Sequence, residues 1–307
     1  MRRAAILASC AAIVAFSVPA FSASAQTSVA ASNAAQAPTE QELRQRGAKL
    51  IANQHKNDEV VDQYERIEHE LDTTGGPNPR TLTDKKTLLA PNGAGTTKIL
   101  LEDSGHAVTP DEYHRELQTW VSVLQFMANP NDERMKSATA KYNKRRQTRN
   151  ELVESLLTAF TRKWVGRETR DGHDCDVILL TPDPNFRPHS VFEEALQHAT
   201  AKIWVDRDAI QLIRAEAQIT SDFSVGGGVL GKLYKGGVFV MEQTEVAPGV
   251  WLPSRYQFDF SGRKFLFSFE EHQSIDATHY RYLGSAKDAL PIAQSELSSG
   301  KPLAGDP

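Results

Sequence analysis

Between Ala201 and Tyr282 the chain alternates apolar and polar positions with a period of two. Ile213, Ala215, Ala217 and Ile219 fall on one face while Leu212, Arg214, Glu216 and Gln218 fall on the other, which is how a half-buried strand reads. Runs rich in valine, isoleucine and aromatic residues are separated by turn chemistry at Asp206 to Asp208, Pro248-Gly249 and Ser261-Gly262, so the stretch predicts a meander of antiparallel strands.

Upstream the period changes several times. Glu40 to about Val61 places Leu43, Gly47, Leu50 and Ile51 near one helical face, predicting an amphipathic helix. Gln63 to Leu71 alternates like a strand, and Arg80 to Leu89 and Thr96 to Glu102 flank Pro91-Asn92-Gly93-Ala94-Gly95 as a hairpin. The clearest helix start is Thr109-Pro110-Asp111-Glu112, followed by Tyr113, Leu117, Trp120, Val121, Leu124 and Met127 on one face. It combines an N-cap hydroxyl, proline at the first helical position and an acid three residues on. Asn129-Pro130-Asn131 breaks this helix, and Asp132 to Ala159 predicts a second. Phe160 to Glu168 and His173 to Leu180 form a hairpin across Asp171-Gly172, and Ser190 to His198 a short helix.

The ends read differently. Arg2-Arg3, an apolar run from Ala4 to Ala20, and Ala23-Ser24-Ala25 before Gln26 have the anatomy of a secretory signal cleaved after Ala25. Leu7-Ala8-Ser9-Cys10 offers an alternative, a lipid anchor on Cys10. Residues 26–39 and 285–307 are rich in alanine, serine, glutamine, glycine and proline and read as a disordered leader and tail. What lies between, 40–284, reads as one domain with a helical insertion over about 110–159. Cleavage leaves 33 basic against 39 acidic residues, a balance that disfavours bulk nucleic-acid binding. It also leaves Cys175 as the only cysteine, so no intramolecular disulfide supports the fold and stability rests on core burial.

Little of the chain carries catalytic chemistry. Gly226 to Lys232 begins like a phosphate-binding loop, but Leu233 stands where a serine or threonine would hold magnesium and no helix pattern follows. Ser261-Gly262-Arg263-Lys264 has the S-x-x-K form without its companion motifs. His173-Asp174-Cys175-Asp176 strings metal-ligand types together, yet neighbours on a strand point to opposite faces. Glu194 and His198 are spaced as a surface pair. No enzyme, cofactor or metal is expected. Lys141, Lys144, Arg145, Arg146 and Arg149 make either a solvated helix face or a patch for an anionic partner.

Aromatic residues recur over the strands. The chain from Ala201 to Ile219, with Trp204-Val205-Asp206 and Arg214 to Ala217, then Glu242-Gln243 and Gly249-Val250-Trp251-Leu252-Pro253, resembles the outer-membrane lipoprotein-sorting and carrier proteins of the LolA/LolB-like superfamily. The resemblance implies an α+β, mainly antiparallel fold: an incomplete, strongly curved β-barrel with amphipathic helices as a lid over an apolar cavity. It further implies a periplasmic, non-catalytic binding or carrier protein for lipid or lipoprotein acyl chains. Trp120, Leu124, Trp164, Trp204, Phe239, Trp251, Phe258, Phe265 and Phe267 are the candidate cavity residues. The alternative is an envelope regulatory or structural interaction module whose barrel is filled by its own side chains, with an envelope protein as partner. Membrane contact is peripheral at most in either reading.

Overall fold

A computed structural model describes residues 37–225, 231–265 and 267–299. The signal segment, the lipid-anchor alternative at Cys10, most of the leader and the middle of the glycine-rich link lie outside the described residues. The elements run α1 (Glu40–Val60), β1 (Tyr64–Thr74), β2 (Thr81–Pro91), β3 (Thr96–Asp103), β4 (His106–Ala107), α2 (Pro110–Met127), α3 (Glu133–Ala159), β5 (Phe160–Arg170) and β6 (His173–Pro182). They continue with α4 (Val191–Leu196), β7 (Ala199–Asp206), β8 (Leu212–Ile219), β9 (Phe223–Val225), β10 (Gly231–Leu233), β11 (Val238–Ala247), β12 (Val250–Lys264), β13 (Phe267–Tyr282) and α5 (Ala286–Ser299).

The strands form one antiparallel sheet in the order β4-β3-β2-β1-β13-β12-β11-β8-β7-β6-β5, with β10 attached to β12 and β9 to β10. Its path ends at β4 and at β5, so it does not close on itself. Both ends carry features that discourage pairing with another chain. Strand β4 is a two-residue bridge. The edge strand β5 carries Arg162, Lys163 and Arg167, and its register shifts between Trp164 and Gly166.

The chain packs as two compact units where the sequence reads as one domain. The first takes the chain up to Ile51 with Leu156–Val240 and Phe258–Phe269; the second takes Ala52–Ser155, Met241–Gln257 and the chain from Glu270. In the first unit Leu43 and Leu50 of α1 bury against Ile178 and Val205, with Trp164, Leu180, Ile203 and Leu212 around them. The i, i+7 spacing of the two leucines is what brings both onto the strands.

In the second unit the whole predicted apolar face of α2 is buried: Tyr113, Leu117, Trp120, Val121, Leu124 and Met127. Its capping box is formed, with the Thr109 hydroxyl accepting from Glu112 N and the Glu112 carboxylate accepting from Thr109 N. This face packs with Leu88, Ala90 and Ile99 of β2 and β3, and with Ala286, Ala289 and Ala293 of α5.

Two expectations change here. Residues 286–299, which composition reads as a tail, form α5, and three of its alanines are in the core. Alanine brings little apolar area but lets the helix come close: a Cβ on Gly93 would stand 2.9 Å from Ala286 Cβ. A start signal is present as Ser285-x-x-Asp288, where Ser285 N donates to Asp288 Oδ2 at 3.0 Å, in the manner of a helix cap. Ser261-Gly262, expected as a turn, lies inside β12, and the chain reverses at Phe265. Gly262 serves close approach instead, since a Cβ there would meet Lys232 O at 2.3 Å, one of the uses of glycine within a strand.

Candidate functional site

Helix α3 carries the strongest candidate. Arg134, Ala138, Lys141 and Arg145 recur at i, i+4, i+7 and i+11 and therefore share one helical face. Together with Glu133, Ser137 and Ala94 they line a cavity of about 560 Å³ in the second unit. Ala94 comes from the β2–β3 turn, whose shape depends on Asn92: its side chain accepts from Ala94 N at 2.9 Å, and Gly93 and Gly95 take positive φ. Asparagine and glycine are the residues that such a turn favours.

The cations on α3 divide into those already engaged and those left over. Arg146 and Arg149 both hold Asp58 near the end of α1, through Arg146 Nε at 3.3 Å and Arg149 Nη2 at 2.5 Å, and Arg146 also reaches Glu59 at 3.3 Å. Burial works against the Arg149 charge, but the Asp58 hydrogen bond and the nearby negative charges outweigh it, and its pKa is raised. Tyr142, between these groups, is pushed up to about 12 by burial, reinforced by Asp62, as both effects disfavour a phenolate. Arg134 bonds Asp132 at 2.6 Å, pulling that carboxyl down to about 2, and stacks 4.7 Å from the Phe126 ring centroid. Lys136 neutralises Glu133 at 2.6 Å. Lys141, Lys144 and Arg145 are exposed and have no partner among the described residues. They are the groups that can take a carboxylate or phosphate from outside.

A second cavity, of about 510 Å³, lies in the first unit between α1 and the strands, with Arg46, Arg167 and Arg207 in its lining. Its charge is largely closed on itself. Buried Asp176 accepts from Arg46 Nη2 at 3.1 Å, Arg167 Nε at 3.4 Å and Trp164 Nε1 at 3.0 Å. Arg46 also donates to Arg207 O at 3.2 Å. The rest of the His173 to Asp176 run diverges, as alternating faces require. His173 Nδ1 meets Asp206 Oδ2 at 3.1 Å, and Cys175 is buried with its thiol pushed up to about 11 by burial, then by Asp206. Among the described residues no group of three or more histidine, cysteine or acidic side chains could hold a metal ion. Glu194 and His198 do not pair: α4 ends at Leu196 and His198 bonds Ser221 Oγ at 2.9 Å.

The sequence-based candidates do not line either cavity. In the second unit Trp120 and Leu124 have no exposure and belong to the core cluster, with Trp120 Nε1 donating to Pro91 O at 2.8 Å. Trp251 is buried there too, and its backbone N donates to Asn57 Oδ1 at 3.2 Å. In the first unit the Trp164 indole is held by Asp176. Trp204 is buried, donates to Glu168 Oε2 at 2.7 Å, and carries Lys202 Nζ at 4.4 Å and the Arg170 guanidinium at 4.8 Å from its ring centroid. Phe239 and Phe258 are brought together, with ring centroids 5.2 Å apart. Phe265 and Phe267 face solvent at 56% and 78% exposure.

Set beside known proteins, the chain matches no family model and no curated protein. Solved structures with likeness to it include an outer membrane lipoprotein-sorting protein domain from Vibrio parahaemolyticus, with 9% identity over 81% of this chain and 99% of that one, at TM-score 0.32. A LolA superfamily protein from Nitrosomonas europaea shares 12% identity over 80% of this chain and 94% of its own, at TM-score 0.27. A Pseudomonas aeruginosa MucA/MucB complex contains a chain with 8% identity, covering 76% of this chain and 94% of that one, at TM-score 0.21. The LolA-like resemblance read from the sequence is thus met again among solved structures. At such TM-scores the likenesses carry no argument about function, which rests on this chain's own residues. No helix among the described residues is long and apolar enough to cross a membrane.

Proposed function

We propose that this protein is a non-catalytic interaction module of the cell envelope that receives an acidic segment of a protein partner along α3. Its buried aromatic residues fill its own units and do not hold an acyl chain. The observation that carries this reading is the fate of the aromatic side chains. Trp120, Trp204, Trp251, Phe239 and Phe258 are each buried against the protein's own groups, so their apolar area is already spent in folding.

The α3 cavity supports a protein partner over a lipid headgroup. Unpaired cations stand beside small residues, Ser137, Ala138 and Ala94, and none of the large exposed apolar side chains lies on α3, so nothing there would enter a bilayer. Cations that are exposed and unpaired steer an acidic partner at little desolvation cost. Export to the periplasm, read from residues 1–25, supplies the compartment.

Two measurements test the reading. A fluorescent fatty acid should show no saturable binding; saturable one-to-one binding would favour the carrier reading. A labelled peptide rich in glutamate and serine should bind at low salt, and K141E/R145E should weaken it about tenfold. Equal binding by the variant would sink the proposed role of α3.

A further inference from the structure

The hairpin that joins β12 to β13 ends in an exposed apolar point. Phe267 at 78% and Phe265 at 56% stand among the large exposed hydrophobic side chains, and they lie two residues apart at the reversal of the chain. Phe265 also has a φ of 55°. Left-handed backbone suits glycine or asparagine and costs a bulky residue energy. In water the ring recovers little of that cost by burial. A strained, solvent-facing phenylalanine beside a second one is a poor solution for stability and a good one for inserting into an apolar phase.

We propose that this tip seats the first unit on a bilayer carrying anionic headgroups, the two rings entering the acyl boundary. The tip's size favours a bilayer over a second copy of the chain. Two aromatic side chains contribute on the order of 150–250 Å² each, well short of the ~1,200 Å² that a specific protein interface buries. An interfacial anchor needs only a few such side chains.

Charge at the tip agrees. Lys264, next to Phe265, is exposed and without a partner among the described residues; Arg263, which precedes it, is half-buried and already engaged, so Lys264 alone supplies the charge at the tip. On the neighbouring strand, where Gly231 pairs with Lys264, Lys232 is matched by Asp222 at 2.7 Å and is therefore neutral as a pair. Glu270 and Glu271 follow three and four residues beyond Phe267, roughly 10 Å back along an extended strand. The point thus carries net positive charge. A cation near an anionic surface improves binding by a factor of about five.

Co-flotation of the purified protein with vesicles tests this. Vesicles of phosphatidylcholine with roughly one third phosphatidylglycerol should retain the protein, and pure phosphatidylcholine should retain less. F267S should weaken retention about tenfold with an unchanged Tm. F265G should weaken it similarly while raising Tm by about 2 °C, because glycine relieves the backbone. Absence of retention on the anionic vesicles overturns it, as does full retention by F267S. Loss of self-association in F267S with vesicle binding intact assigns the tip to a second copy and overturns it equally.

Discussion

Replacing Trp120 by alanine tests whether the second unit is packed or hollow. The indole has no exposure and sits among Leu88, Ile99, Leu117 and Leu124. A buried tryptophan covers on the order of 200 Å², which at about 25 cal/mol per Å² gives roughly 5 kcal/mol as an upper bound, part of it kept by the alanine. Truncations of this kind cost about 3–5 kcal/mol where the site cannot collapse. The bond to Pro91 O at 2.8 Å adds about 1 kcal/mol, because the carbonyl loses its donor. The expected loss is about 4–5 kcal/mol, a large share of the ~5–15 kcal/mol that holds a typical domain. Trp120→Phe keeps most of the area and should lose about 1–2 kcal/mol. Urea unfolding followed by far-ultraviolet circular dichroism reads both variants. Because a dry engineered cavity accepts small apolar molecules, indole at millimolar concentration should restore part of the Trp120→Ala loss. A loss below about 2 kcal/mol, with no response to indole, would mean that Trp120 already borders open space, and the packed-unit reasoning fails.

Three further variants probe other parts. Asp176→Asn removes a charge met by Arg46 and Arg167; Arg46 and Arg167 are partly exposed, at 27% and 36%, against 4% for Asp176. The loss in urea should therefore be about 2 kcal/mol, below the ~3–5 of a fully buried pair, and an unchanged midpoint would contradict the arrangement. Glu65 has its pKa raised above 4.5, burial being the main cause and Arg281 opposing it. The folded form holds the proton more tightly, so this group's contribution to stability is full below its ordinary pKa and is lost as pH rises through the raised value. The Tm difference between Glu65→Gln and the unaltered protein should accordingly move in the variant's favour as pH climbs from 4.5, and movement the other way would refute it. Gly262→Ala places a Cβ 2.3 Å from Lys232 O, so β10 must part from β12; a Tm within about 1 °C of the original would contradict that clash.

Local signals make much of the fold legible in the sequence. Thr109-Pro110-x-Glu112 and the apolar stripe behind it specify α2 without help from the rest of the chain, because capping and periodicity act within a few residues. Leu43 and Leu50 likewise mark the buried side of α1. Features that depend on distant partners are not legible in this way. Residues 286–299 look too small-sided to fold, and only α2 and the β2–β3 turn give their alanines something to pack on. Gly262 carries turn chemistry in isolation, and its strand role emerges only when Lys232 O lies over it. The basic cluster on α3 is visible as a cluster. Which of its members are free depends on Asp58, more than eighty residues away in sequence.

The aromatic residues are the most instructive case. Period-two alternation shows that a side chain faces the covered side of a sheet, but it does not show whether that side is covered by protein or by ligand. Trp204 and Trp164 settle into their unit through polar partners, Glu168 and Asp176, that alternation cannot reveal. Phe265 and Phe267 alternate as β-residues should, yet they project from a hairpin tip whose position is set by the displaced turn.

The most direct test of the account is native mass spectrometry of the protein released gently from the envelope, paired with extraction of any bound lipid. A module filled by its own side chains should give the mass of the polypeptide alone and an extract without stoichiometric lipid. One acyl lipid retained per chain would contradict it.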